Sequence, residues 1–142
     1  MNLDIKKNPV KVLLDTNVLI SALGFGGKPR QLLQLVLDKK IKSVTSPILL
    51  AEFHEVINKK FPQLSFHLKR IENKIKKIFI IVHPKQTVTI VRDIDDNRVI
   101  EAAVEGNCQY IITGDADLLD LKSFEKIKIV TVETFLKEHA DI

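Results

Sequence analysis

Four carboxylates lie far apart in the chain, at Asp15, Glu52, Asp96 and Asp115. Each stands where a fold would turn it inward or toward a ligand. Asp15 follows the apolar run Val10-Lys11-Val12-Leu13-Leu14, and Asp115 follows Tyr110-Ile111-Ile112-Thr113 after one glycine. Glu52 and Asp96 fall within the apolar stripes of expected helices. No matching set of cations accompanies the four. Such acids would repel one another and hold their protons unless a multivalent cation sat among them. Ligation by oxygen alone selects Mg²⁺ or Mn²⁺, which keep water ligands and bind phosphate oxygens. An ion of that kind polarises a phosphodiester and activates water for in-line attack. Asn17 and Thr113 lie beside the same strand ends, where they could hold waters or orient a carboxylate. Asp117, two residues after Asp115, could replace or assist it.

The run over 10–14, broken by one lysine, reads as a strand buried on both faces. Asp15-Thr16-Asn17 supplies turn or cap residues before a short helix over 18–23. Gly24, Gly26, Gly27 and Pro29 mark a loop, and apolar positions 32, 33, 36 and 37 predict a helix over 30–39. A short strand is expected over 41–45. Ser46-Pro47 pairs an N-cap serine with proline at the first helical position, and this helix runs to Lys60, before Pro62. A lysine-rich helix over 64–77, a strand over 79–82 and an extended stretch over 87–91 follow. Asp95-Asp96 opens a helix through Glu105, with Gly106 or Asn107 as its C-cap. Strands over 110–113 and 127–130 and a terminal helix over 134–139 complete the pattern. Cys108 is expected to pack near the strand at 110.

Helical angle tests the two mid-chain acids. With Ile48 at zero, the apolar residues from Ile48 to Ile57 fill an arc of roughly 0° to 200°, with Glu52 at about 40° and Glu55 near 340°. A carboxylate on such a face needs a cation or a donor; the structural alternative is a partly exposed acid on its rim. Asp96 falls in the middle of the face formed by Val99, Ile100, Ala103 and Val104, while Asp95 lies at its edge and Asp93 precedes the helix. The alternative for Asp96 is a plain helix cap, a role open to Asp95 as well. Strands alternating with helices predict an α/β fold, a three-layer α/β/α sandwich around a central, mostly parallel sheet. Ligands bind such sheets at the carboxyl ends of the strands, so Asp15 and Asp115 are expected on one edge.

With 142 residues, the chain suits one domain over 1–142 with a core that needs no staples. Its 45% apolar and 28% charged residues exclude disorder. The single cysteine excludes an internal disulfide or a multi-cysteine zinc site and fits a reducing cytoplasm. No apolar run reaches the roughly 18 residues of a membrane span, and Met1-Asn2-Leu3-Asp4 does not begin a signal peptide. The four histidines have no metal-ligand spacing. The net charge of +4 conceals a division: residues 59–86 carry eight cations against Glu72 alone, and residues 87–142 carry six against twelve acids. That pattern suits a polyanion-facing surface beside an acidic pocket, or simply two solvated faces of different sign. Phe61 and Phe66 sit among the lysines, at a spacing more typical of core than of base stacking.

Together these residues resemble the PIN-domain ribonucleases. The resemblance rests on Leu13-Leu14-Asp15-Thr16-Asn17, on Ser46-Pro47 followed by Glu52, and on Asp95-Asp96-Asn97 followed by Glu101-Ala102-Ala103. The stretch from Tyr110 through Thr113-Gly114-Asp115-Ala116-Asp117-Leu118 is the fourth piece. The match spans roughly residues 10–135 and is most similar to VapC-type toxins of bacterial and archaeal toxin–antitoxin pairs. It implies an Mg²⁺- or Mn²⁺-dependent endoribonuclease that leaves a 5′-phosphate. Asp15, Glu52, Asp96 and Asp115 would be its catalytic, metal-binding acids and Asn17 and Thr113 their polar support; Asp117 fits the last acid as well as Asp115. It also implies an RNA substrate, a small antitoxin protein as partner and a homodimer. An RNA-processing nuclease that is not a toxin is one alternative. A non-catalytic RNA- or protein-binding module is another, using the lysine-rich stretch from Lys59 to Lys77. A phosphotransferase of the haloacid dehalogenase type would want an aspartate where Asn17 stands, and the acids and lysine of a receiver domain are missing.

Overall fold

The apolar run near the N-terminus forms the centre of the sheet. In the computed structural model, which describes residues 9–142, β1 (Val10–Leu14) lies between β2 (Ile41–Thr45) and β4 (Tyr110–Ile112), parallel to both. The expectation for Met1 to Asp4 lies outside the described residues. β3 (Ile80–Ile81) pairs beyond β2, and β6 (Ile127–Val130) beyond β4. Antiparallel β5 (Ser123–Phe124) closes the far edge, giving the order β3-β2-β1-β4-β6-β5. The chain thus winds outward from β1 through β2 to β3, returns to β4, runs out to β5 at the far edge and turns back into β6. The reversal falls between β1 and β4, where doubly wound sheets open a ligand crevice.

Alternation along the strands sends side chains into two cores. Val12, Leu14 and Ile112 enter the first with Phe53, Ile57 and Phe135; Leu13 and Ile111 enter the second with Val44, Val99 and Ile100. Burial on both faces is why β1 has no polar alternation. The first core is covered by α1 (Thr16–Gly24), α2 (Gly27–Leu37), α3 (Pro47–Lys60), α4 (Ser65–Ile78) and α7 (Val132–Glu138). The second is covered by α5 (Ile94–Glu105) and α6 (Ala116–Leu121). The expected three-layer sandwich with a mostly parallel sheet is present. Among the described residues no helix is long and apolar enough to cross a membrane.

The departures from expectation are local. The loop expected from Gly24 to Pro29 shrinks to Phe25 and Gly26, because α2 already begins at Gly27. Pro29 fits its first turn, where a missing N–H breaks no helical bond, and Gly26 and Gly27 take positive φ of 82° and 64°. α6 and β5 were not anticipated; at six and two residues they are too short to show a period. The stretch over 87–91 pairs with no strand. Instead Glu101 Oε2 accepts from the Val88 N–H at 2.7 Å, and Asn97 Oδ1 accepts from Ile90 and Val91 at 3.1 and 2.9 Å. Asn97 Nδ2 donates back to the Val91 carbonyl at 2.8 Å. Side chains of α5 thus satisfy the backbone that a neighbouring strand would otherwise satisfy. Gly106 is the C-cap of α5, and a Cβ there would lie 2.8 Å from Val44 Cγ1, so glycine lets the helix end rest on β2. Cys108 is buried in the second core, which pushes its thiol up to about 12.

Candidate functional site

The site begins where β1 and β4 end. The Asp15 N–H donates to the Ile112 carbonyl at 3.0 Å, extending the β1–β4 ladder by one bond. Continuing the alternation, Asp15 and Thr113 fall on the Leu13 and Ile111 side of the sheet, the side that α5 covers. Thr113 Oγ1 donates to Asp15 Oδ2 at 2.7 Å and accepts from the Asp115 N–H at 3.0 Å. Asp115 Oδ2 in turn accepts from the Leu118 N–H at 3.0 Å and caps α6. One polar chain therefore fixes both acids, and the cap occupies a single oxygen of Asp115.

Two helices bring the other acids. Ser46 Oγ accepts from the Leu49 N–H at 3.3 Å, which sets the start of α3 and hence the direction of Glu52. Asp93 Oδ1 accepts from the Asp95 N–H at 2.8 Å, so Asp93 caps α5. This corrects the alternative that Asp96 or Asp95 is the cap. Relieved of that role, Asp96 turns inward, and its Oδ2 is buried without a hydrogen-bond partner.

Asp15, Asn17, Glu52, Asp96 and Asp115 line one open cleft of about 390 Å³. Thr113 lies beneath it, bonded to Asp15. Asp117 is exposed, yet its carboxylate and those of Asp96 and Asp115 offer oxygens within 4.8 Å of one another. All seven residues singled out in the sequence thus meet at or beside one place, and Asp115 and Asp117 both present oxygens there. Glu55, Asp93, Asp95, Lys59 and Lys60 also line the cleft and were not singled out. Glu55 had a visible signal, its position at the margin of the α3 stripe. The two lysines were legible only as bulk charge. His54 pairs with Glu72 at 3.0 Å and His139 stacks on Phe135, both outside the cleft.

Burial and crowding disturb these acids in one direction. Burial raises Asp15 above the usual carboxylate range; the Thr113 hydroxyl opposes this, and the Asp115 charge adds to it. Burial also raises Glu52, against the Thr16 side chain and with help from Asp95, Asp15 and Asp93. Asp96 is pushed up to about 7, first by burial, then by the approach of Asp115, which favours a shared proton, and by the charges of Asp115, Asp93 and Asp15. Seven carboxylates against two lysines in one cleft lack compensating charge. A hard divalent cation fits this donor set: every ligand atom on offer is oxygen, and Asp96, whose Oδ2 has no hydrogen-bond partner, contributes one of them.

The chain is similar to known proteins in sequence and in fold. The family model of the PIN domain matches residues 11–117. An uncharacterized protein of Methanocaldococcus jannaschii is 36% identical, over 94% of each chain. Among solved structures, a chain of VapBC2 from Rickettsia felis, crystallised bound to a DNA fragment from their promoter, superposes with a TM-score of 0.60. It covers 84% of this chain and 97% of its own, at 15% identity, a likeness of fold.

Proposed function

The chain belongs to the PIN domain family, and from that premise we propose that it is an Mg²⁺- or Mn²⁺-dependent endoribonuclease, the toxin of a toxin–antitoxin pair. One observation carries the proposal. Acids from β1, α3, α5 and the end of β4 converge at the reversal of strand order, with an Asp96 oxygen left unpartnered. Asp15, Glu52, Asp96 and Asp115, with Asp117 beside them, would hold the cation. When bound, it would supply the positive charge that polarises a phosphodiester and lets water give up a proton to become the attacking hydroxide.

The chain's own residues do the rest. Thr113 holds the Asp15 carboxylate in one orientation, and the α6 cap does the same for Asp115. Asn17, on the cleft wall, orients water, and Lys59 and Lys60 draw the phosphates in. As water oxygen bonds to phosphorus, its proton passes to a carboxylate oxygen of the cleft that the cation leaves free. The bond from phosphorus to the 3′ oxygen breaks and that oxygen is protonated, leaving a 3′-hydroxyl and a 5′-phosphate. The likeness in fold to a chain of VapBC2 supports a small antitoxin protein as partner. We place the chain in the cytoplasm, as a single nuclease domain that forms a homodimer.

The test is cleavage of single-stranded or structured RNA by the purified protein. Cutting should require Mg²⁺ or Mn²⁺, stop with chelator, and vanish in Asp15→Asn and Asp96→Asn variants that remain folded. Metal-independent cleavage that survives both substitutions would overturn the proposal.

A further inference from the structure

α1 follows Asp15, α3 carries Glu52, and the two helices pack on each other. They also end together, at Phe25 and Phe61, whose ring centroids lie 5.8 Å apart in an edge-to-face arrangement at 75°. Phe61 is partly buried against the first core, while Phe25 is 73% exposed. Phe25 is nevertheless not on a loose tip. Its N–H and that of Gly26 both donate to the Ser21 carbonyl, at 2.9 and 3.1 Å. The Arg30 guanidinium donates to the carbonyls of Ala22 and Leu23 at 3.0 and 3.2 Å, clamping the end of α1. The turn thus holds a phenylalanine ring in water, where it adds little to the stability of the fold.

The chain next to its partner Phe61 connects the ring pair to the cleft. Lys59 and Lys60, immediately before Phe61, line the acidic site. Lys59 pairs with Glu55 at 2.9 Å, whereas Lys60 has no ion-pair partner among the described residues. From Glu52 to Phe61 is about 14 Å along the helix at 1.5 Å per residue. An acidic centre, a free ammonium and Phe61 therefore follow one another along α3, and Phe61 meets the displayed Phe25 ring at the end of α1.

We propose that Phe25, braced edge-on by Phe61, is a stacking platform for an unpaired base of single-stranded RNA whose phosphates pass Lys60 on the way to the cleft. The substrate class rests on the function proposed above; the platform extends it to a subsite. Every base has a π-face, so such a platform holds the strand without demanding a sequence. The lysines beside it favour a polyanion over an apolar protein surface, because they answer the phosphate charge that accompanies each base. Phe66 is more exposed still, at 97%, but it lies on α4 and is not paired with another ring among the described residues.

The chain contains no tryptophan, so Phe25→Trp creates a lone indole at the platform, excited apart from Tyr110. Binding is read in the Asp96→Asn background, with Mg²⁺ and a mixed-sequence 12-nucleotide single-stranded RNA, so that the strand stays whole. Phe25→Trp should show saturable quenching and keep the parent affinity. Phe25→Ala, with an unchanged melting temperature, should bind about 5- to 100-fold more weakly. An abasic strand of the same length should bind Phe25→Ala and its parent alike. Equal RNA affinity in Phe25→Ala and its parent would overturn the platform, as would a loss that persists on the abasic strand. So would a Phe25→Ala defect confined to binding a partner protein. Phe25-dependent RNA binding by a wild type that cuts nothing refutes the nuclease reading alone. Metal-dependent cleavage with Phe25-independent binding refutes the platform alone.

Discussion

Asp96 is the most disturbed of the acids that meet in the cleft, by burial first and by its acidic neighbours after it. Its carboxyl is raised from 3.8 to about 7, so the folded state binds that proton more tightly than the unfolded chain does. Between about pH 4 and 7 the folded protein therefore holds more protons, and stability falls as pH rises through that window. Asp15 and Glu52 shift in the same direction and deepen the slope. In chelator, the melting temperature should drop as pH rises from about 4 to 7. Asp96→Asn should flatten that drop and melt higher than the wild type at pH 8, while losing activity. An unchanged slope in the variant would show that Asp96 is not the group responsible. Thr113 is the complementary case, a hydroxyl that holds a carboxylate by one bond of 2.7 Å. Thr113→Val keeps the shape and removes the donor, which should cost about 1–3 kcal/mol in denaturant unfolding. Thr113→Ser should recover most of it.

At the scale of elements, α5 positions the site through contacts at both ends. Asp93 caps its start and frees Asp96, Asn97 staples it to the 90–91 backbone, and Gly106 lets its end sit on β2. Gly106→Ala would drive a methyl to 2.8 Å from Val44 Cγ1, and should cost about 1–3 kcal/mol in chemical denaturation. Adding Val44→Ala should make the pair more stable than the two separate losses predict. Strict additivity would show that the helix end does not press on that side chain. The elements legible in the sequence were those with strong local signals. Ser46-Pro47 marks the start of α3 because a cap serine and a first-turn proline act within one turn, and β1 shows as an unbroken apolar run because both its faces are buried. The stretch over 87–91 reads as extended, and its backbone is satisfied by Glu101 and Asn97 side chains from a later helix instead of by a strand. A residue pattern shows extended backbone there; it does not show what that backbone pairs with.

Across the whole molecule the charge of +4 now has a spatial meaning. Seven carboxylates converge in the cleft, while α4 keeps Lys69, Arg70, Lys74, Lys76 and Lys77 on a separate helix. A divalent cation that relieves the cleft binds the folded state and not the unfolded chain, so Mg²⁺ or Mn²⁺ should raise the melting temperature of the wild type. Asp15→Asn should show little or no such shift; an equal shift in both proteins would put the cation elsewhere. By itself the sequence determined the acids at strand ends, the inward faces of α3 and α5, and the alternating strands and helices, because caps and periodicities are rules acting within a few residues. Only the tertiary structure decided that Thr113 holds Asp15 across 98 residues of chain, that Asp93 caps α5 in place of Asp96, and that Asp117 joins Asp96 and Asp115. Those outcomes depend on strand order and on which helix packs over which face, and long-range packing of that kind is written in no local spacing.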